Sequence, residues 1–204
     1  MRKSLVAAFV APFLLAACVT PVPYVDPKYD AAPITVPAEV ADMQAVLNVE
    51  FYRNGERAKS VDKPIRKVVV AAFEKRGVEI NETATTRINV SMNNMADLGD
   101  AAASGFGTGL TLGLAGSTVS DFYKATVTID DGAKAFSQSY DHALHTTIGR
   151  VKEPPIAGVL PAGNVQSAIA SLVGDIIDQA LFDYVAAKTP AETSVPVAAE
   201  ETAS

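Results

Sequence analysis

The chain has 204 residues, with 17 lysine and arginine residues against 23 aspartate and glutamate residues, a formal net charge of −6. Nucleic acid is therefore not an expected partner, because its phosphate backbone is bound through clustered positive charge. Cys18 is the only cysteine, so no internal disulfide can form and the fold must depend on its hydrophobic core.

The N-terminal residues have the pattern of a secretory signal peptide. A short positive region precedes apolar residues 5–17, a stretch too short to span a membrane permanently, which takes about 20 residues. The sequence LAAC at residues 15–18 resembles the lipobox of bacterial lipoproteins. In that class the bond between Ala17 and Cys18 is cleaved and the cysteine carries the lipid. We therefore predict residues 1–17 as a signal peptide and Cys18 as the site of lipid attachment.

A lipid on Cys18 implies attachment to a membrane. One acyl chain holds a protein reversibly, whereas two or more anchor it stably, and lipoproteins of this class resemble one another in carrying three. Val19, rather than aspartate, follows the cysteine, and the sorting rule of the class then favours the outer membrane. The expected location is the periplasmic face of the outer membrane, with the covalent lipid as the anchor.

Composition divides the rest of the chain into three parts. Residues 18–43 contain frequent prolines, which is typical of a semi-rigid extended spacer, and we predict a lipidated tether there. Residues 44–188 are long enough for one periplasmic domain, since a chain of this size buries about two-thirds of its unfolded surface. Residues 189–204 have no aromatic residue and no hydrophobic period, which predicts a disordered acidic tail.

The first half of the domain predicts a strand, a helix and two further strands. Residues 45–53 alternate between apolar and polar side chains and are followed by an Asn-Gly turn signal. A helix is predicted from near Asp62, with a proline in its first turn, to Gly77, which is placed to end it. Short strands are predicted over residues 78–82 and 86–92.

The second half predicts a hairpin followed by a long helix. Apolar residues alternate from Tyr123 to Ile129, and Asp131-Gly132 is a strong turn signal that leads into a strand over 136–144. Asn164 can cap a final helix whose apolar stripe extends to Tyr184, with its aspartates on the solvent side. Together these elements predict an α+β fold, a mainly antiparallel sheet with two helices packed on one face.

A family resemblance follows from the order of these features. The lipobox, the proline-rich spacer, a first strand followed by a helix ending at Arg76-Gly77, a strand pair and a closing amphipathic helix resemble the YajG-type envelope lipoproteins. The resemblance covers most of residues 45–188 and includes no distinctive domain motif. That family has no settled biochemical activity, so the resemblance implies no catalytic residues.

A glycine-rich insertion over residues 99–120 is the most unusual part of the sequence. Residues 101–120 contain no charge, and two periods overlap in them, glycines four apart and apolar side chains two apart. The first period is typical of closely packed membrane helices and the second of one face of a strand. Three interpretations stay open: a loop or β-extension packed on the domain, a contact surface, or membrane insertion. The candidate interaction residues are Gly105, Phe106, Gly109, Leu110, Leu112 and Gly113.

Candidate catalytic and metal-binding residues are few. His142 and His145 stand three apart, so on a strand they face opposite sides and do not converge on one metal. Ser137 and Ser139 have no base at a recognisable spacing, and the carboxylates at Asp130-Asp131 are interpreted as turn residues. We therefore predict no catalytic residue, no metal site and no cofactor.

These observations predict a non-catalytic binding or assembly module for another envelope component, anchored at the outer membrane. The alternative is a self-associating lipoprotein whose residues 101–120 insert in the membrane or lie on it.

Overall fold

The computed structural model describes residues 20–29, 34–96, 116–149 and 155–188. The predicted signal peptide, the lipid site Cys18, the candidate interaction residues between 105 and 113, and the tail 189–204 lie outside the described residues.

Seven strands and two long helices make up the described part of the domain. The strands are β1 Val22–Val25, β2 Gln44–Arg53, β3 Glu56–Arg57, β4 Glu79–Ile80, β5 Thr86–Ala96, β6 Ser117–Asp130 and β7 Ala135–Ile148. The helices are α1 Lys59–Glu74 and α2 Val165–Lys188, and short 3₁₀ turns cover Pro27–Tyr29 and Ala38–Val40.

The strands form one sheet in the order β1-β7-β6-β5-β2-β3, with β4 also paired to β2. The pairs of β2 with β4 and β5 are parallel, and the other pairs are antiparallel. Both helices pack on the face of the sheet that carries the buried alternating side chains, and they contact each other. The predicted fold class, α+β with a mainly antiparallel sheet, is confirmed.

The hydrophobic core lies between the helices and the sheet. Burial alternates along β2, where Leu47 and Val49 are buried and Asn48 is exposed, as expected for a strand with one covered face. On α2, Leu172 and Ile177 are almost fully buried. Burying a side chain of this size stabilises the fold by about 1.5–3 kcal/mol before the entropy of ordering.

Helix α1 begins earlier than the sequence predicts. Asp62 lies inside the helix, and its carboxylate accepts hydrogen bonds from the backbone N–H of Phe51 (2.9 Å) and from the Arg57 guanidinium (2.7 Å). These contacts fasten the first turn of the helix to β2 and β3. At the other end Gly77 has a φ of +84°, the left-handed conformation that commonly ends helices, so the predicted stop is confirmed.

The prediction that residues 18–43 form only a tether is wrong in two places. Val22–Val25 is a strand of the sheet, paired with β7, and Val40 is 1% exposed in the core. Pro23 is compatible with this position because β1 is an edge strand, where the missing N–H need not face a second partner. Its carbonyl accepts a hydrogen bond from Ala162 (2.9 Å), which ties the strand to the segment before α2.

The glycine-rich insertion is shorter than predicted at its C-terminal end. β6 begins at Ser117 and pairs with β7 from its first residue, so residues 117–120 belong to the sheet. β5 also continues beyond the predicted strand, to Ala96. The insertion therefore connects two adjacent antiparallel strands.

The aspartates of α2 do not simply face solvent, as the sequence predicts. Asp183 accepts a hydrogen bond from the Tyr140 hydroxyl (2.9 Å), and burial together with this carboxylate raises the pKa of Tyr140. Asp178 accepts two hydrogen bonds from Arg76, both 2.5 Å long. Arg76 also donates to the backbone carbonyls of Ala72 and Gly174 (both 2.8 Å), so one guanidinium joins the end of α1 to the middle of α2.

We expect Arg76→Ala to lower the free energy of unfolding by about 2–4 kcal/mol, because it leaves a partly buried carboxylate and two carbonyls without their donor. The figure lies below that for a fully buried pair, since the Asp178 side chain is 27% exposed. Urea denaturation followed by circular dichroism measures it.

The matched control is Arg66→Ala, because Arg66 pairs with the exposed Glu82 at 3.2 Å and contacts a single backbone carbonyl, that of Leu47, at the longer distance of 3.4 Å. Surface pairs contribute about 0–1 kcal/mol. Equal losses in the two variants would contradict the role given to Arg76.

Asp131, in the turn between β6 and β7, fastens the hairpin to the end of α2. Its carboxylate accepts hydrogen bonds from Lys188 (2.6 Å), the Tyr184 hydroxyl (2.9 Å) and the backbone N–H of Lys134 (2.8 Å). The ammonium of Lys188 and these further donors hold the pKa of Asp131 well below its ordinary value. The predicted turn is confirmed, with Gly132 at a φ of +84°.

We expect the Asp131 contacts to stabilise the fold at neutral pH and to be lost in acid. The lowered pKa means that the stabilisation is present above the carboxyl's unfolded pKa of about 3.9 and disappears as pH falls through the lower folded value. Asp131→Asn is therefore less stable than the wild type at pH 7, and the difference between the thermal melts of the two proteins narrows as the pH falls below about 4. A constant difference between them from pH 7 to pH 2 would contradict this role.

Candidate interaction surfaces

The sheet brings the chain's N-terminal strand and the ends of the insertion to one side of the molecule. Val22 pairs with Thr147, and Thr147 pairs with Thr118; we call this side the Val22 end. β5 runs toward it and stops at Ala96, and β6 returns from it beginning at Ser117. The chain therefore leaves β5 level with Val25 and rejoins the sheet at Ser117, at the Val22 end.

Two exposed hydrophobic side chains flank the insertion. Met95 in β5 and Phe122 in β6 are direct cross-strand partners and are 39% and 37% exposed. They lie on the open face of the sheet, opposite the helices. Exposed cross-strand apolar pairs on a sheet face are typical of contact surfaces when they continue into a larger apolar patch.

A polar cluster beside this pair was not anticipated from the sequence. The Ser120 hydroxyl lies 2.8 Å from Nδ1 of His145, and Nε2 of the same ring lies 3.4 Å from Asp26. Both Asp26 and His145 are about 15% exposed. The three residues come from β6, from β7 and from the position directly after β1, so no sequence spacing could have revealed them.

The cluster has the residue types of a serine hydrolase triad without its usual geometry. In such triads the carboxylate contacts Nδ1 and the hydroxyl contacts Nε2, whereas the ring here is reversed. Ser120 also lies within a paired strand, whereas the nucleophile of α/β-hydrolases sits on a sharp turn that exposes its oxygen. The contacts are best explained as polar links that hold the end of β1 on the sheet.

We expect Ser120 not to react with a fluorophosphonate probe, a reagent that modifies serines activated as nucleophiles, because the cluster lacks that exposed geometry. Intact-mass spectrometry of the incubated protein measures the modification. Ser137, whose hydroxyl contacts Thr128 at 3.0 Å, is the internal control. Labelling that disappears in Ser120→Ala but persists in Ser137→Ala would contradict the expectation.

The two histidines lie on opposite faces of β7, as predicted. His142 is buried at 1% exposure under α2, with its ring 5.9 Å from that of Tyr29 and Nε2 3.7 Å from Asp175. His145 lies on the open face with Ser120. Within the described ranges, no group of three or more histidine, cysteine, aspartate or glutamate side chains is arranged to hold a metal.

A groove of about 920 Å³ runs between α1 and α2. Its lining includes small and apolar side chains, among them Val68, Ala71 and Ala170. On the α1 side the groove is lined by Lys63 and Lys67, and by Lys75 directly after the helix. Asp175 and Asp178 belong to the α2 wall.

Sequence analysis also did not identify the groove lysines, although their regular spacing is visible in the sequence. Lys59, Lys63, Lys67 and Lys75 share a spacing of four, with Ala71 at the remaining position, so they form one stripe on a helix. All four are exposed. The stripe is hidden in the overall composition because the chain as a whole is acidic.

Helix α2 is, among the described helices, the one long and apolar enough to span a membrane. It buries nine residues against the rest of the domain. Its apolar character is therefore explained by core packing.

Comparison with known proteins gives limited information. No family model matches the chain, and no curated protein sequence matches it. Among solved structures it is similar to the PelC dodecamer from Paraburkholderia phytofirmans in two crystal forms, one of them a point variant. Identity is 11% for the variant and 9% for the other, each with a TM-score of 0.36 and with 78% of this chain covered against 95% and 96% of those chains.

A protein described as uncharacterised is also similar, at 9% identity and a TM-score of 0.29, covering 76% of this chain and 96% of that one. TM-scores of this size do not establish a shared fold, so these similarities do not bear on function.

Proposed function

We propose that this protein is an outer-membrane-anchored periplasmic lipoprotein that acts as a non-catalytic binding or assembly module for another envelope component. The observation that carries the proposal is the position of β1. Val22 is four residues from Cys18, so a lipid on that cysteine would lie within about 14 Å of the sheet. The membrane-proximal side of the domain would then be the Val22 end.

The same geometry supports a role for the insertion. The insertion joins β6 at Ser117, at the Val22 end, and the exposed Met95–Phe122 pair lies five residues further along β6. The uncharged residues 101–115 would thus join the sheet at its membrane-proximal end, and the exposed apolar pair would lie within about 17 Å of that end, where a neighbouring envelope protein can be contacted. The resemblance to YajG-type lipoproteins agrees with this role and stays a prediction.

The alternative is self-association through the insertion, with residues 101–120 in or on the membrane. The position of β1 also favours this alternative, because its first residue and the point where the insertion joins β6 lie at the same end of the sheet. The insertion would therefore reach the lipid without crossing the domain. The start of β6 at Ser117 limits the inserted part to residues before that strand.

Photo-crosslinking in intact cells separates the two candidates. A photoreactive amino acid replaces Phe122, and the matched control replaces Asn89, which is exposed on the same sheet face nearer its opposite end. We expect a discrete crosslinked band of higher mass from position 122 and none from position 89, because apolar contact is centred on the exposed pair. Mass spectrometry of the band identifies the partner.

A ladder at multiples of the protein's own mass would instead support the self-associating alternative. No band, or equal bands from both positions, would contradict both. Fractionation of the same cells tests the anchor separately: the wild type is expected in the outer membrane and Cys18→Ala in the soluble fraction.

A further inference from the structure

The α1–α2 groove combines apolar lining residues with unbalanced positive charge. Lys63, Lys67 and Lys75 line it, and none of the three forms an ion pair with another described residue. Of the two carboxylates opposite, Asp178 is neutralised by Arg76, which leaves Asp175. In a protein whose net charge is −6, this is a local site of opposite sign that fits a segment both acidic and apolar.

We propose that this groove binds an acidic apolar peptide segment, and that the segment is the chain's own residues 189–204. That stretch carries Glu192, Glu200 and Glu201 and no lysine or arginine. Between its glutamates lies the apolar run 195–199, Val-Pro-Val-Ala-Ala. Small apolar side chains suit the alanine and valine residues of the lining, and the flanking glutamates suit its lysines.

The segment is long enough to follow the groove. It continues from Lys188, at the end of α2 that contacts Asp131. Ten residues of helix separate Lys188 from Asp178, about 15 Å at 1.5 Å per residue. Glu192 is four residues beyond Lys188, and an extended chain of that length spans about 13 Å. The difference of about 2 Å between this span and the roughly 15 Å is shorter than a lysine side chain, so Lys75 can reach Glu192.

The glutamate pair then falls opposite the other lysines. Lys63 and Lys75 are about 18 Å apart along α1, and the eight residues from Glu192 to Glu200 span up to about 26 Å. The tail would therefore run antiparallel to α2, with Glu192 near Lys75 and the pair at 200–201 near Lys67 and Lys63. Because the segment is covalently linked, its effective concentration at the groove is in the millimolar range, so weak contacts suffice.

This inference goes beyond the proposed function and does not depend on the lipid. It assigns the groove to the chain itself, so a competing acidic ligand must displace the tail. The Val22 end, which carries the proposed contact with other envelope proteins, is left uncovered.

Lysine acylation of the full chain tests the proposal, with the rate at each lysine followed by peptide mass spectrometry. The variant E192Q/E200Q/E201Q keeps the length of the tail and removes its charge. We expect acylation of Lys63, Lys67 and Lys75 to accelerate about twofold or more in this variant, the rise for a segment docked at least half of the time. Lys124, on the open face of the sheet, is the control and keeps its rate.

Carbodiimide crosslinking of the wild type gives a second readout, with bonds expected between these lysines and the tail glutamates within one chain. Unchanged acylation rates together with no such bonds would overturn the proposal. Bonds found only between isotopically light and heavy chains in a mixture would overturn the intramolecular assignment. Protection that appears only on addition of phosphatidylglycerol vesicles, and equally in both proteins, would assign the groove to a lipid surface instead.

Discussion

The arrangement of the helices depends on one guanidinium group. Arg76 satisfies Asp178 and the carbonyl of Gly174 on α2 while it remains attached to the last turn of α1. A Cβ at position 174 would lie 3.2 Å from this guanidinium, so glycine there allows the close approach. The guanidinium therefore links the two helices at one end of the groove that lies between them.

Much of the fold follows from local patterns, and what does not follow depends on distant partners. The period-two runs predict β2, β5, β6 and β7, Asp131-Gly132 predicts the hairpin, and Asn164 caps α2 by accepting the N–H of Ser167 (2.9 Å). The sequence did not predict β1, because four residues with a proline resemble a spacer until their partner, β7, is known. The predicted start of α1 near Asp62 was too late, because the Asp62 side chain accepts a hydrogen bond from Phe51 of β2 rather than capping the helix.

The candidate surfaces were less predictable than the fold for the same reason. The contact between Ser120 and His145 joins residues 25 apart, and that between Asp26 and His145 joins residues 119 apart. Only the sheet register brings them together. The lysine stripe of α1 is local and could have been recognised, but its importance comes from α2, which supplies the other wall of the groove.

The pairing of β1 with β7 also has a consequence for how the chain folds. Val22 and Thr147 are hydrogen-bonded across a sequence separation of 125 residues, so the first strand of the sheet has no partner until the last one has formed. Closing so large a loop is entropically costly and slow compared with forming the β6–β7 hairpin. The N-terminal strand is therefore expected to join the sheet late, after the rest of the domain has assembled the edge that receives it.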